Sequence, residues 1–317
     1  MALRALRFLI HIVMLVRFSI LQRNRIDIIF CVHSWYAMPG YFISLLIHKP
    51  LVWDVHSGLV RYSLRPPSVF DRIQMFLDKA CGRLPARAIV RSEQDKQIFI
   101  NEGKRENDIL VLPECADFEL IEGLLNSGAC ESIERRSPLL GDFKEVVFFM
   151  GTRLYEPNRR AAYWINDVLV PRLSRVVPGL GAIIASDGPI PVPLTDSVRF
   201  VGYVPNVFAL ALQCDLAVIP IWEGSGMLDK VIDLMALGKP CVVTDFVTKG
   251  VPQLVDGQNA MVANTEQEFL EKTATILQDK ELALSVGQRA LNTTKQFYDW
   301  NIHRGRLVSF VDGSREN

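Results

Sequence analysis

Residues 220–238 read Pro-Ile-Trp-Glu-Gly-Ser-Gly-Met-Leu-Asp-Lys-Val-Ile-Asp-Leu-Met-Ala-Leu-Gly, and this stretch decides the fold. Leu216 to Pro220 is an apolar run too short for a helix and suited to a buried parallel strand. Gly224 and Gly226 then allow close approach of backbone to a ligand, and Lys230 to Leu237 has helical periodicity. A strand, a glycine turn and a helix that opens with unpaired N–H groups at its positive dipole end form an anion site. Lys230, on the first helical turn, adds a point charge suited to phosphate. Asp233, three residues on, shares its face and is placed to accept hydrogen bonds from sugar hydroxyls. Taken alone, glycines ahead of a helix are equally consistent with a simple tight turn.

Outward from this stretch, strands and helices alternate. In the second half the predicted strands are Glu145 to Met150, Gly181 to Ala185, Ser197 to Val201, Leu216 to Pro220, Pro240 to Thr244 and Asn259 to Val262. Helices are predicted at Arg159 to Val177, Val207 to Gln213, Lys230 to Leu237 and Glu266 to Gln278. The first half repeats the pattern with strands Asp27 to Val32, Pro50 to Val55, Ala86 to Val90 and Asp108 to Pro113, and helices at Gly40 to His48 and Pro67 to Cys81. Ser92-Glu-Gln-Asp carries a serine cap and early acids, a helix start. Residues 118–144 hold Gly123, Asn126, Gly128, Pro138 and Gly141 without long apolar runs, the composition of a connection. The expected fold class is α/β, with two Rossmann-like doubly wound domains, 1–144 and 145–317, and a last helix that crosses back.

In open parallel sheets ligands bind beyond the carboxyl ends of strands. A second anchor stands at such an end, where Val146 to Met150 runs into Gly151-Thr152-Arg153. An arginine there suits phosphate, although a surface ion pair would use it equally well.

The 317 residues allow one large or two ordinary domains, and 49% hydrophobic content supports real cores, which excludes a disordered or fibrous chain. With 35 Lys and Arg against 35 Asp and Glu, no global field draws the protein to nucleic acid, which is not an expected partner. The six cysteines form no Cys-x-x-Cys or paired spacing, so neither a zinc site nor a disulfide framework is expected and a reducing cytoplasm fits best.

Phe8 to Val16 is apolar except for His11 and is bounded by Arg7 and Arg17. Nine residues fall short of the about 20 that span a bilayer, and no small-residue cleavage site follows. Arg4, Arg7 and His11 lie at i, i+3, i+7 spacing, with no acid before Asp27. Two readings stand: a helix packed on a sheet, or one whose basic side, within residues 1–25, also rests on anionic lipid at the inner face of the cell membrane.

Together these blocks resemble the GT-B fold glycosyltransferases of the glycosyltransferase family 4 type, which handle cell-surface glycans. The resemblance is carried by Asp27-Ile-Ile-Phe-Cys-Val-His33, Val52-Trp-Asp-Val-His56, Val90-Arg-Ser-Glu-Gln-Asp-Lys96 and Val111-Leu-Pro-Glu-Cys-Ala-Asp117 in the first half. In the second it is carried by Gly151 to Asn158, Val201-Gly-Tyr-Val-Pro205, Gly224-Ser-Gly to Gly238-Lys-Pro240, and Tyr298-Asp-Trp300. The order and spacing of the blocks are more specific than any one of them.

What the resemblance implies is a transferase that moves a sugar from a nucleotide-sugar donor to a surface glycan or lipid-linked acceptor, retention of anomeric configuration, and no metal or other cofactor. Arg153 and Lys230 would bind the donor phosphates with the turn Gly224, Ser225 and Gly226, Asp233 would hold the ribose, and Tyr203 and Val204 would meet the base. His56 would be the catalytic-site histidine beside the reacting sugar, while His33 ends the strand one unit earlier; either histidine could instead simply cap its strand. No Asp-x-Asp metal signature occurs in the sequence.

The chain departs from the pattern in three places. The usual Glu-x7-Glu pair is replaced, with Ser225 eight positions before Asp233 and Glu223 ten before it. The lysine after the Gly-x-Arg motif is absent, leaving Arg159 or Arg160 to substitute. The first half begins one βαβ-sized unit, about 30 residues, later than the resemblance implies, so an exposed edge or apolar face is expected there. This keeps an alternative in view: a catalytically silent GT-B scaffold or truncated relative that binds nucleotide without transfer. An NAD-dependent oxidoreductase fits less well, because no strand leads into Gly-x-Gly-x-x-Gly with an acid about 20 residues later.

Overall fold

The computed structural model describes residues 2–55, 61–62, 69–126, 137–188, 194–225 and 229–313. The chain divides into two compact units, Met1–Pro113 with His303–Asn317, and Glu114–Ile302. Each is an α/β unit on a parallel sheet.

The first unit carries strands β1 (Ile29–Val32), β2 (Leu51–Asp54), β3 (Arg87–Val90) and β4 (Ile109–Val111), all parallel and ordered β1-β2-β3-β4. Its helices are α1 (Ala2–Leu21), α2 (Ser34–Ile47), α3 (Val69–Gly82) and α4 (Glu93–Asn101). Trp53 and Phe99 centre the core with ring centroids 5.4 Å apart, and Val55, Cys81, Ala88 and Val90 pack with them. Each such large side chain contributes roughly 1.5–3 kcal/mol by leaving water. A Cβ on Gly82 would lie 2.6 Å from the Phe99 ring, so glycine is what lets α3 end against this core. Ser92 caps α4 as its sequence predicts, its hydroxyl accepting from the Asp95 amide at 3.1 Å. Helix α2 begins six residues ahead of the predicted Gly40: Pro39 lies inside it, where proline is ordinarily a breaker.

The expected exposed apolar region is present. Edge strand β1 leaves Phe30 and Val32 exposed, and α1 and α2 leave Leu9, Ile10, Val13, Met14, Phe18, Phe42 and Leu46 exposed.

The second unit is built on β5 (Glu145–Met150), β6 (Leu180–Ala185), β7 (Val198–Gly202), β8 (Leu216–Ile219), β9 (Cys241–Thr244) and β10 (Met261–Ala263). Their order is β10-β9-β8-β5-β6-β7, all parallel. The chain moves from β5 to β6 and β7, then returns to the other side of β5 for β8, β9 and β10. Every residue of β6, β8 and β9 is buried, which is why these strands read as unbroken apolar runs.

Several sequence expectations need correction. The 118–144 connection contains helix α5 (Phe118–Asn126), whose Leu124 carbonyl accepts from Asn206 Nδ2 at 3.0 Å. The helix predicted for Arg159 to Val177 is α6 (Glu156–Trp164), a π-turn at Ile165–Leu169, and a last turn at Val170–Leu173, where Pro171 supplies no amide. Beyond α7 (Val207–Leu212), α8 (Asp229–Ala236), α9 (Asp245–Gly250) and α10 (Glu266–Gln278), the sequence reading missed α11 (Lys280–Phe297) and placed no bounds on α12 (Trp300–Asp312). These last two carry polar residues through most of their length, so their apolar periodicity is shallow.

Candidate active site

The site lies where the second sheet reverses direction. Strands β5 and β8 are neighbours, yet the connections leaving their carboxyl ends run to opposite sides, which opens a crevice between them. Gly151 to Arg153 leaves β5 and residues 220–225 leave β8, so the two stretches singled out in the sequence approach each other there.

Lys230 comes from the first turn of α8 and reaches back to β5. Its Nζ donates to Asn158 Oδ1 and lies 5.0 Å from the centre of the Phe149 ring. A Cβ on Gly151 would stand 2.7 Å from Lys230 Nζ and 2.7 Å from Asn158 Cγ, so only glycine leaves room for the amine. Burial pulls the Lys230 ammonium down to about 7, with the Asp229 carboxylate opposing the shift. The amine thus sits in a dry place without a full counter-charge, and an anion would supply one.

Asn158 was quoted in the sequence motif but given no role. Its side chain is buried on the first turn of α6, where Nδ2 donates to the Thr152 carbonyl at 3.0 Å while Oδ1 accepts from Lys230. It ties the strand-end loop to the lysine. The signal for it was its spacing, seven residues after Gly151, which puts it one turn into the following helix.

Arg153 is held differently. Its amide donates to Asp187 Oδ1 at 2.8 Å, its Nε donates to the Asp187 carbonyl at 2.9 Å, and the Thr152 hydroxyl donates to Asp187 Oδ2 at 2.9 Å. These bonds, first the Arg153 amide and then the Thr152 hydroxyl, hold the Asp187 carboxyl below its usual range. The guanidinium is exposed beside Gly188, on the β6 side of β5, with its Nη groups unbonded among the described residues. Lys230 and Arg153 therefore flank the same strand end.

Asp233 is half-buried on α8, and its carboxyl is pushed up to about 7 by burial first and then by the Asp229 and Glu114 carboxylates. Tyr203 is 80% exposed and Val204 half-buried, just past β7. β7 is two strands from β5, so these residues stand roughly 10 Å along the sheet edge. Gly224 has φ +153°, and a Cβ there would strike the Tyr155 hydroxyl. The backbone of Ser225 is described, while Gly226 and His56 lie outside the described residues. Arg160, a candidate for the missing lysine, pairs with Glu223 and bonds Glu156 at 3.2 Å, and Arg159 pairs with Glu156. Both arginines are thus already engaged by carboxylates.

In the first unit, the carboxyl ends of β2 and β3 carry a pair missed by sequence reading: Arg91 Nη2 meets Asp54 Oδ2 at 3.0 Å with both side chains largely buried, and Arg91 Nη1 donates to the Leu112 carbonyl at 3.3 Å. His33 ends β1 with φ 65°, and its amide donates to the Asp54 carbonyl at 3.3 Å. Among the described residues, no group of three or more His, Cys, Asp or Glu side chains is arranged to hold a metal ion, and no helix is long and apolar enough to cross a membrane.

Residues 144–279 match the family model described as Glycosyl transferases group 1. No curated protein matches the chain significantly. Among solved structures, the chain is similar to Anabaena HepE in complex with UDP-glucose at 18% identity, covering 95% of this chain and 82% of that one with a TM-score of 0.69. Sucrose-phosphate synthase from Thermosynechococcus elongatus is 14% identical, with 95% and 78% covered and a TM-score of 0.71. A UDP-forming alpha,alpha-trehalose-phosphate synthase from Burkholderia vietnamiensis is 11% identical, with 97% and 75% covered and a TM-score of 0.73. The chain thus shares the two-unit α/β fold of these proteins, the GT-B fold, and its residues 144–279 resemble the group 1 glycosyl transferases.

Proposed function

We propose that the protein is a glycosyltransferase that takes a sugar from a nucleoside diphosphate donor bound in the second unit and passes it to a surface glycan or lipid-linked acceptor. The observation that carries this reading is the buried Lys230 amine, held by neutral Asn158 at the reversal of the second sheet, directly over Gly151. An ammonium there with no carboxylate in contact among the described residues is complementary to a diphosphate and to the charge that grows on it as the glycosidic bond breaks. The complex of Anabaena HepE with UDP-glucose supports the same reading.

In this scheme Lys230 and Arg153 hold the two phosphates from either side of the β5 end, and the Gly224-Ser225-Gly226 turn offers backbone amides. Asp233 accepts from the ribose hydroxyls, and Tyr203 and Val204 border the base. His56 orients the donor sugar on the acceptor side, with retention at the anomeric carbon. Leaving-group stabilisation then comes from protein cations rather than a metal. Residues 1–25, with Arg7, Arg17, Arg23 and Arg25 beside exposed apolar side chains, bring the enzyme to the inner face of the membrane, where a lipid-linked acceptor would lie. The one-directional order of the first sheet favours a second reading, nucleotide binding without transfer.

The test is hydrolysis and transfer against a panel of nucleotide sugars, alongside donor binding by calorimetry. Binding with turnover is expected. Binding without either reaction establishes the silent scaffold, and absence of binding to every donor overturns both readings.

A further inference from the structure

A second basic site stands at the opposite end of the first unit, away from any strand carboxyl end. A cavity of ≈ 650 Å³ opens at the amino-terminal ends of β2, β3 and β4, bounded by the end of α2 and by the segments that lead into β3 and β4. Its lining includes His48, Lys49, Arg83, Arg87, Lys104 and Arg105, with Asp108 as the acidic side chain among the lining residues. Several of these cations are already engaged: Arg83 with Glu102 at 2.9 Å, Arg105 with Asp108 at 2.7 Å, and Arg87 with the Phe310 carbonyl and ring. The side chains of His48 and Lys49 have no hydrogen bond or ion pair among the described residues, and Lys104 has no ion pair.

Lys104 is the unusual member. It is 8% exposed, and its Nζ donates to the Leu84 carbonyl at 2.8 Å and the Ala86 carbonyl at 2.6 Å. An ammonium has three donors, so two neutral carbonyls leave one donor unused, and the Asp108 carboxylate, itself paired with Arg105, offsets the charge only in part. Burial pulls this amine down to about 8. A buried cation at the wall of a roomy cavity whose free cations outnumber its free acids is the arrangement that a multiply charged oxyanion completes.

We propose that this cavity is an anion-binding site, separate from the donor crevice, for a ligand bearing a phosphate group. The chemistry is shared by a free phosphate and by a phospholipid headgroup. Exposed Leu45 lines the same cavity, and exposed Leu46 lies next to it on α2.

The test titrates sodium pyrophosphate into the full chain by calorimetry, at constant ionic strength, and compares Lys49→Glu, Lys230→Ala and, as a remote charge control, Arg172→Glu. Lys49→Glu is chosen because it leaves the two carbonyl bonds of Lys104 in place. Wild type is expected to bind two pyrophosphates. Lys49→Glu should weaken one about tenfold or more while sparing the other, Lys230→Ala should do the reverse, and Arg172→Glu should change neither. In a parallel arm, co-sedimentation with phosphatidylcholine vesicles is compared with and without phosphatidylglycerol. Loss in Lys49→Glu of binding specific to phosphatidylglycerol assigns the site to a headgroup, and the second pyrophosphate assigns it to free phosphate. If Lys49→Glu alters neither pyrophosphate stoichiometry nor vesicle binding, the site does not exist, whatever becomes of the donor crevice.

Discussion

The two sheets are made of the same kind of strand and differ in how the chain moves between them. In the first, β1 to β4 follow one another in one direction, and the carboxyl ends of β2 and β3 are filled by the Arg91–Asp54 pair. In the second, the chain reverses beside β5, the two departing loops separate, and the space between them receives the Lys230 amine. Strand composition alone therefore does not open a crevice at the strand carboxyl ends; the reversal does. The same contrast holds for the buried lysines, since Lys104 is bonded to two backbone carbonyls at strand beginnings, whereas Lys230 rests on one side-chain amide at strand ends.

The sharpest way to break the contrast is to fill the crevice. In Gly151→Val the added carbons fall where Lys230 Nζ and Asn158 stand, so both must move. Donor affinity is expected to fall about 100-fold, the loss of a charge-assisted contact together with its positioning residue. Calorimetry on a variant that keeps its wild-type circular dichroism checks this, and unchanged affinity removes the site. Lys230→Ala follows at roughly 1.5–3 kcal/mol of donor binding, with the larger loss expected in turnover.

A proton count sharpens the same point. With its amine near 7, Lys230 is mostly neutral at pH 8, and a bound diphosphate favours the ammonium. Donor binding at pH 8 is therefore expected to take up close to one proton, and affinity to fall as pH rises beyond 7. Calorimetry in buffers of different ionisation enthalpy measures the uptake. Lys230→Arg, which stays charged, should abolish it.

Much of this was legible in the residues. The placement of Gly151 at a strand end and of Lys230 on a first helical turn was readable, because strand-end glycines and first-turn lysines carry local signatures. Asn158 was not, because a buried asparagine differs from a surface one only in what the fold places around it. The engagement of Arg160 by Glu223 was hidden for the same reason: the residues are 63 apart, and only the pairing of β5 with β8 makes them neighbours. Helix α11 escaped because its buried positions, Val286, Gly287, Ala290 and Thr294, are small or polar.

Asp233 tests the crevice from its acidic side. Its folded carboxyl is raised to about 7, so it destabilises the protein increasingly as pH rises from the usual carboxylate range through 7, and not at all well below it. Asp233→Asn removes that penalty while weakening the proposed ribose contact. At pH 8 the variant is expected to melt ~2–4 °C higher for each about 1 kcal/mol relieved, with no gain at pH 4, yet to bind donor more weakly. Equal melting shifts at both pH values would show that the carboxyl is not under strain.

The smallest effect belongs to the sheet's far edge. Tyr203 is 80% exposed and two strands from the reversal, so its truncation leaves no cavity and its worth is limited to the proposed ring contact with the base. Tyr203→Ala is expected to cost about 1 kcal/mol of nucleotide affinity, the usual scale of base–aromatic stacking, with stability unchanged. Because the loss concerns the base alone, it should appear in full for the nucleoside diphosphate and vanish for pyrophosphate. Lys230→Ala should weaken both equally. A Tyr203 variant that also weakens pyrophosphate would place the ring's influence on the phosphates and draw the far edge into the crevice.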